Sequence, residues 1–598
     1  MRLLQRLAIA RLHARLPAWV RIAVAIVAVV LGVVIVIRPT TALDVLAWLI
    51  GGGMVLTGLL ELTGREGEVR RPRWRTITGV AWLVGGGIVL LAPGLTVRVV
   101  AVVVGVLLLV NGILGVVAVF ARGRSWDARI ADGAFGVSGV IFGALALFWP
   151  DITLLVVAVV FGARLIMSGV VDLWTRLRRR HDDRAAEQTG RTATPKRRWG
   201  RTVIAIASVA LAVTTTIVTT PLREGSTVVD DFYAAPRDLP DEPGQLVRFE
   251  PFTGGIPASA QGWRILYTTT GVDGRVRVAS AIVAVPREGE GRWPVINWNH
   301  GTTGFAPHCA PSLQPRGLWA GAFYMLPRAI KEGWAVVGTD YIGLGTEGPH
   351  PYLIGPPSAH ASLDAVRAAR QLDDADLGAR SVVWGHSQGG GAALWAGSLA
   401  REYAPDVWVQ GVAALAPASD PAALVQGISS VTGGSIFASY AFASFSQIYP
   451  EIEYRDYVRP GAETALRQMS ERCLSDPTIV LSVAAALGMS RDPALFSRSP
   501  ASGPLGRHLR ENTAPLHSTA PVLLAHGGAD SVIPVAAQAD FVDRMCAAGQ
   551  DVDFRTYAGY EHAGVIERPS PLIDELFEWT RDRFAGVPVA EGCTTTER

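Results

Sequence analysis

Val382-Val383-Trp384-Gly385-His386-Ser387-Gln388-Gly389-Gly390-Gly391 joins an apolar run to the Ala-rich stretch Ala392–Tyr403 through small residues on either side of a serine. The pattern predicts a strand, a tight turn and a helix. Such a turn exposes the serine hydroxyl, requires small neighbours to avoid collision, and aims a helix N-terminus at developing negative charge. A bare Gly-x-Ser-x-Gly is common, so its position between strand and helix is what gives it weight. From about residue 263 onward the chain alternates short β-rich runs with Ala-rich helical stretches, which predicts an α/β sheet. Ile265–Thr270 and Val276–Val285 form an expected hairpin through Gly271-Val272-Asp273-Gly274. Further strands are expected near 294–298, 334–339, 381–385, 408–415, 521–525 and 552–557.

A serine hydroxyl is a weak nucleophile at neutral pH and needs a base within hydrogen-bond reach, itself oriented by an acid. In α/β-hydrolases the chain order is serine, acid, histidine. Pro521–Ala525 is an apolar strand followed by His526-Gly527-Gly528-Ala529-Asp530, which puts Asp530 in a loop at a strand end. Val552–Tyr557 is another, followed by Ala558-Gly559-Tyr560-Glu561-His562. Asp530 and His562 are therefore the expected acid and base, although Asp530 could instead cap the helix beginning near Pro534. His300, His308 and His526 fit the order poorly. The oxyanion requires backbone N–H donors. One is expected from Gln388, and a second from Gly301 or Thr302 in the glycine-containing loop after the strand near 295–298. Between Leu415 and Pro521 lie about 100 residues, too many for a plain loop, so a cap is expected at about 416–515. Its stretch Ile436–Phe445 reads equally well as an acyl-chain wall and as cap core. Cys309, Cys473, Cys546 and Cys593 are the only cysteines. An even number in an oxidising compartment suggests disulfides, with three pairings open.

His300-Gly301-Thr302-Thr303-Gly304, Cys309-Ala310-Pro311-Ser312, Gly338-Thr339-Asp340-Tyr341-Ile342-Gly343-Leu344-Gly345, the Ser387 turn and the Asp530 and His562 loops occur together and in order. Together they resemble the secretory lipase family of α/β-hydrolases, over roughly residues 240–590. The resemblance implies carboxylic-ester hydrolysis through an acyl-enzyme, with Ser387 as nucleophile, His562 as base and then acid, and Asp530 as orienter. It makes Asp340 a structural loop residue near the site and favours the pairs Cys309–Cys473 and Cys546–Cys593. No metal and no diffusible cofactor is implied.

The rest of the chain is of another kind. Residues 1–201 hold 26 Lys and Arg against 11 Asp and Glu, a surplus of 15, whereas residues 202–598 hold 29 against 41, a deficit of 12. The basic clusters alternate with apolar runs at about 22–37, 42–60, 76–92, 99–120, 130–149, 152–174 and 202–220. That alternation is the signature of membrane topology and leaves no case for a nucleic-acid partner. Pro39, Pro93 and Pro150 open three copies of one segment. A glycine follows twelve residues after each proline (Gly51, Gly105, Gly162) and nineteen after it (Gly58, Gly112, Gly169). Each copy is expected to be a helical hairpin with the proline in its turn, and glycines seven apart allow close backbone approach. This part resembles the short-repeat membrane family that includes acid-resistance proteins of the HdeD type.

The expected organisation is an α-helical membrane domain followed by an α/β-hydrolase domain with a helical cap. The membrane domain comprises three two-helix repeats at 1–175, a cytoplasmic linker at 176–201 and one further span at 202–220. The hydrolase domain occupies 221–598. Lys and Arg fall mainly before the first run and between alternate runs, which predicts a multi-pass protein of the cell membrane with a cytoplasmic N-terminus and an extracytoplasmic catalytic domain. The partners expected are a lipid or acyl-ester substrate and the bilayer. Two other readings stay open: an acyltransferase acting on cell-envelope lipids or glycolipids, and a membrane stress-related protein with an accessory hydrolase domain.

Overall fold

The computed structural model describes residues 18–63, 73–91, 93–120, 126–182, 207–210, 212–214, 217, 228–289, 291–427, 431, 433–490 and 495–598. Residues 1–17, the linker beyond Asp182 and most of the expected run at 202–220 lie outside the described residues. The chain divides into two units: Met1–Pro221 together with Val458–Ala465 and Ala484–Leu495, and the remainder from Leu222 onward.

Among the described residues up to Asp182 there are six helices: α1 (Ala18–Ile37), α2 (Pro39–Thr63), α3 (Arg73–Leu91), α4 (Pro93–Ala118), α5 (Trp126–Phe148) and α6 (Pro150–Asp182). The repeat prolines do not sit in turns as expected. Each is the first residue of a helix, where its missing N–H costs nothing and its fixed φ suits the helix. The helix pairing also differs from the expected hairpins. The repeat glycines direct each post-proline helix at a helix other than the one that precedes its proline. A methyl on Gly58 would meet the Gly79 carbonyl at 2.7 Å, one on Gly112 would meet the Val140 nitrogen at 2.5 Å, and one on Gly162 would meet the Gly32 carbonyl at 2.8 Å. The close pairs are therefore α2 with α3, α4 with α5, and α1 with α6. All six repeat glycines are buried, and backbones this close leave no room for a side chain. The post-proline helices α2, α4 and α6 also touch one another, burying Leu43, Ala101 and Leu154 together.

The outward surface of these helices is apolar: Val27, Val84 and Leu114 are 61%, 57% and 60% exposed. Among the described residues, the helical stretch Val99–Val117 is long and apolar enough to cross a bilayer by itself. Ala25–Ile37, Thr76–Leu91 and Asp132–Phe148 are shorter apolar stretches.

The second unit is built on a ten-stranded mixed sheet: β1 (Leu246–Pro251), β2 (Ala260–Thr270), β3 (Val276–Pro286), β4 (Trp293–Asn299), β5 (Ala335–Ile342), β6 (Leu377–His386), β7 (Trp408–Leu415), β8 (Val522–Gly527), β9 (Val552–Tyr557) and β10 (Cys593–Glu597). The order is β1-β2-β3-β5-β4-β6-β7-β8-β9-β10. The pairings β1/β2, β2/β3 and β3/β5 are antiparallel, and the rest are parallel. Helix α7 (Leu326–Lys331) follows β4, α8 (Gly355–Ala369) follows β5, and α9 (Gln388–Tyr403) follows β6.

Between β7 and β8 the described residues form the helices α10 (Pro421–Gly427), α11 (Gly434–Ile448), α12 (Tyr454–Tyr457), α13 (Pro460–Ser470), α14 (Ile479–Met489) and α15 (Gly503–Glu511), with β-bridge residues at Val458 and Phe496. After β8 come α16 (Val535–Ala547) and, beyond β9, α17 (Leu572–Ala585). Side chains alternate across each strand, so the sheet has two cores. On one face Val283, Val383 and Leu524 are buried with α8, α9 and α16. On the other Trp298, Trp384 and Leu523 are buried with α7 and α17. The expected strands are all present. The edge strands β1 and β10 are additions to that expectation.

Candidate active site

Four loops meet at the C-terminal ends of the parallel strands, where open α/β sheets place their ligands. They leave β4, β6, β8 and β9 and carry Gly301, Ser387, Asp530 and His562. Ser387 has φ 56° and ψ −119°, a conformation a residue with a side chain adopts only under constraint. The glycines around it show the constraint. A methyl on Gly385 would lie 2.0 Å from the Gly389 carbonyl oxygen, and one on Gly389 would lie 2.0 Å from the Asn299 carbonyl oxygen. The strand, helix α9 and the neighbouring loop can be this close only without Cβ atoms.

His562 Nε2 lies 2.9 Å from Ser387 Oγ, and His562 Nδ1 lies 2.7 Å from Asp530 Oδ2. A carboxylate accepts, so Nδ1 carries the proton and Nε2 presents its lone pair to the serine hydroxyl. Asp530 divides its oxygens. Oδ1 accepts the Val532 and Ile533 amides at 2.8 Å each, leaving Oδ2 for His562. It makes the local turn and faces the histidine at once, while α16 starts with no side-chain cap. Burial raises the Asp530 pKa, but the His562 hydrogen bond and charge, followed by the two-residue turn's amide, outweigh it and hold the carboxyl below its usual value.

Of the competing histidines, His526 is buried behind Asp530. Its Nε2 donates to the Ile533 carbonyl at 2.8 Å and lies 3.3 Å from Asp530 Oδ2. His300 is buried beneath the oxyanion-side loop, 2.6 Å from the Gly301 carbonyl, and burial pushes its pKa down to about 4. His308 lies near Cys309 and Cys473, but those two sulfurs are joined to each other, so they offer no thiolates to a metal.

Gln388 opens α9 directly after the serine. Its side chain is anchored by a histidine that motif reasoning passed over: Gln388 Nε2 donates to His350 Nε2 at 3.0 Å, while His350 Nδ1 donates to the Ile342 carbonyl at 3.1 Å. Burial pushes His350 down to about 3, which keeps it neutral. Gly301 lies alongside the nucleophile, where a methyl would come 3.7 Å from Ser387 Cβ. Thr302 turns toward the cap side, with its Oγ1 3.0 Å from the Tyr352 hydroxyl, and Tyr352 in turn packs edge-on against Tyr440 of α11. The structure joins Cys309 to Cys473 and Cys546 to Cys593. Together with the hydrogen bond from the Leu474 amide to the Thr303 carbonyl at 2.7 Å, the first disulfide ties the oxyanion-side loop to the cap. In α11, Tyr440, Phe442 and Phe445 are fully buried, and Phe442 stacks on Phe496 at 5.3 Å. The stretch Ile436–Phe445 is thus cap core. A cavity of about 890 Å³ is lined by Trp319, Tyr324, Met325, Arg316, Arg328 and Arg568, and Ser387, Asp530 and His562 do not border it.

Asp340 is a buried residue of β5 rather than a loop residue. It accepts from Ser280 Oγ at 2.6 Å, from the Ser312 amide at 3.0 Å and from Ser312 Oγ. Burial pushes its pKa up to about 6 against those hydrogen bonds. A carboxyl raised on folding contributes stability that is complete below its unfolded pKa and is lost as pH rises through the folded value. Asp340→Asn does not ionise, so its Tm relative to wild type should rise between about pH 4.5 and about pH 7.5. A Tm difference independent of pH would show that Asp340 titrates normally.

Residues 320–592 match the family model for secretory lipase, and residues 23–91, 77–143 and 134–217 each match the model for a short repeat of unknown function. The chain carries a secretory lipase domain behind these repeats. Secreted triacylglycerol lipase LIP7 of Malassezia globosa is 28% identical over 62% of this chain and 82% of its own length. A Mycobacterium tuberculosis protein named a probable inactive lipase is 27% identical over 60% of this chain and 83% of its own. Among solved structures, Candida antarctica lipase A in its closed state superposes with a TM-score of 0.50 at 22% identity, covering 62% of this chain and 89% of that one. This last likeness is one of fold: an α/β-hydrolase-like domain on a mixed sheet.

Proposed function

We propose that the secretory lipase domain hydrolyses carboxylic esters, lipid or acyl, through an acyl-enzyme on Ser387. Because one relative is named a probable inactive lipase, kinship alone does not carry the reading. The observation that carries it is the unbroken line of hydrogen bonds Asp530–His562–Ser387, at 2.7 and 2.9 Å, on a strained turn at the strand ends. In the mechanism this supports, Ser387 Oγ attacks the ester carbonyl as His562 Nε2 takes its proton. Asp530 stabilises the resulting imidazolium and holds its tautomer. Negative charge developing on the carbonyl oxygen meets the amide of Gln388 and that of Gly301 or Thr302. His562 then returns the proton to the departing alcohol, and water repeats the sequence to release the acid.

We further propose that the short repeats and the run at 202–220 anchor this domain to a membrane in seven crossings, with the N-terminus cytoplasmic and the catalytic domain outside. Three features support this: the apolar exterior of α1–α6, the basic clusters between runs, and two disulfides suited to an oxidising compartment.

The test is a chain-length series of p-nitrophenyl esters with the full chain in detergent, following free acid with and without an added alcohol acceptor. Release of free acid that does not depend on acceptor is the expected result. Product found only on the acceptor would mark an acyltransferase, and no turnover of any ester would refute the reading.

A further inference from the structure

The middle residue between Gly385 and Ser387 is a histidine that the mechanism above does not use. His386 is 5% exposed. Its Nε2 lies 3.0 Å from the backbone carbonyl of His562, and the two imidazole rings lie 4.9 Å apart, tilted by 42°. A carbonyl only accepts, so Nε2 of His386 carries the proton and donates it. On the ring's other side a methyl on Gly301 would come 3.2 Å from Nδ1. The ring is therefore wedged between the oxyanion-side loop and the histidine loop. We propose that His386 is a positioning residue that fixes the main chain of His562 against the nucleophile strand. The proposal rests on the ester-hydrolase reading and deepens it.

The hydrogen bonds of the triad join side chains, but their lengths depend on where the His562 backbone sits. That backbone lies in the short loop after β9. The loop is tied to the acid loop by the Ala529 amide, which donates to the Tyr560 carbonyl at 3.0 Å, and by the carboxylate of Glu561, which accepts from the Ser531 amide at 3.1 Å and the Ser531 hydroxyl at 2.9 Å. It is tied to the nucleophile strand by His386. Each tie joins a chain neighbour of one triad residue to the loop of another: Glu561 joins the histidine loop to the acid loop, and His386 joins the nucleophile strand to His562 itself. Glu561 and Ser531 are exposed, so water competes for their hydrogen bonds and the net contribution is small. The His386 ring is buried and its bond to the His562 carbonyl is partly so, which leaves water less able to compete there. A displacement of about 1 Å at a reacting group can cost about 100-fold in rate, and this better-shielded tie acts on the His562 backbone itself.

Histidine also meets a second requirement there. In the transition state His562 becomes a cation beside the ring of His386. Burial, and after it the neighbouring His562, push the His386 pKa down to about 3. It stays neutral at working pH, donating its hydrogen bond without placing a second positive charge against the imidazolium.

Three variants of the full chain separate this role from simple filling of space. His386→Leu fills much of the volume but donates nothing. His386→Gln can place an amide N–H near the position of Nε2, and His386→Asn places one near Nδ1. Expected is a fall in kcat of about 10- to 100-fold for the Leu and Asn variants, with KM nearly unchanged, and recovery in the Gln variant to within about fivefold of wild type. Thermal unfolding run alongside identifies variants that fail to fold. Should Leu destabilise the domain, the comparison of Gln with Asn still decides. Equal kcat in the Gln and Asn variants, whether both normal or both depressed, would overturn the positioning role. A wild-type chain without esterase activity would instead overturn the function on which it rests.

Discussion

Ser387→Ala is expected to lower kcat/KM for a p-nitrophenyl ester by about 10⁶-fold while leaving the unfolding temperature unchanged or slightly raised. The size follows from the loss of the group proposed to form the acyl-enzyme. What remains is uncatalysed attack by water helped by the oxyanion donors, which in related chemistry keeps about 10³- to 10⁴-fold over the background. The stability expectation has a separate origin. Ser387 is held at φ 56°, and the Gly385 and Gly389 contacts that hold it there belong to the backbone. Removing one hydroxyl leaves those contacts intact. Loss of activity together with loss of fold would therefore point to a structural role. Activity retained within about tenfold would remove Ser387 from the mechanism altogether.

Asp530→Asn should produce the second largest effect, about a 10⁴-fold fall in kcat with KM changed little. The substitution preserves shape. An amide oxygen can still accept from the Val532 and Ile533 amides, as Oδ1 does now at 2.8 Å, so the turn survives. The amide nitrogen then faces His562 Nδ1 and donates to it. That hydrogen bond selects the tautomer with the proton on Nε2, which points at Ser387 and cannot act as a base. His526, 3.3 Å from the same oxygen, gives no substitute base because its reachable nitrogen is committed to the Ile533 carbonyl. Steady-state kinetics with a Tm measurement check the result. A fall of less than about tenfold would mean that the carboxylate is not the orienting group.

The parts of this architecture that could be read from the chain are those in which local chemistry leaves few alternatives. Central strands buried on both faces are apolar runs bounded by glycine, proline or aspartate, and β4 through β9 were expected within a few residues of where they lie. Edge strands carry no such mark. Strand β10, Cys-Thr-Thr-Thr-Glu, is almost wholly exposed and owes its conformation to pairing with β9. Strand β1 likewise takes its register from β2. The repeat of proline and spaced glycines was plain in the sequence. Glycines seven apart define a helix face, however, and not the helix that face meets, so the partner of each post-proline helix could not be read.

That Ser387, Asp530 and His562 meet at the strand ends could be expected from the sequence because a strand-end loop is a place that order and spacing can mark. The groups that support them could not. His350 is buried and meets Gln388, 38 residues further on, and His386 is buried and meets the His562 carbonyl, 176 residues further on. Nothing in a one-dimensional string sets such a histidine apart from a surface one.

The most direct test of the account is to react the full chain with a p-nitrophenyl alkylphosphonate and locate the adduct by peptide mass spectrometry. One phosphonyl group on the peptide containing Ser387, matched by one equivalent of p-nitrophenol and abolished by Ser387→Ala, is the predicted result. No adduct, or an adduct on a different residue that persists in Ser387→Ala, would contradict it.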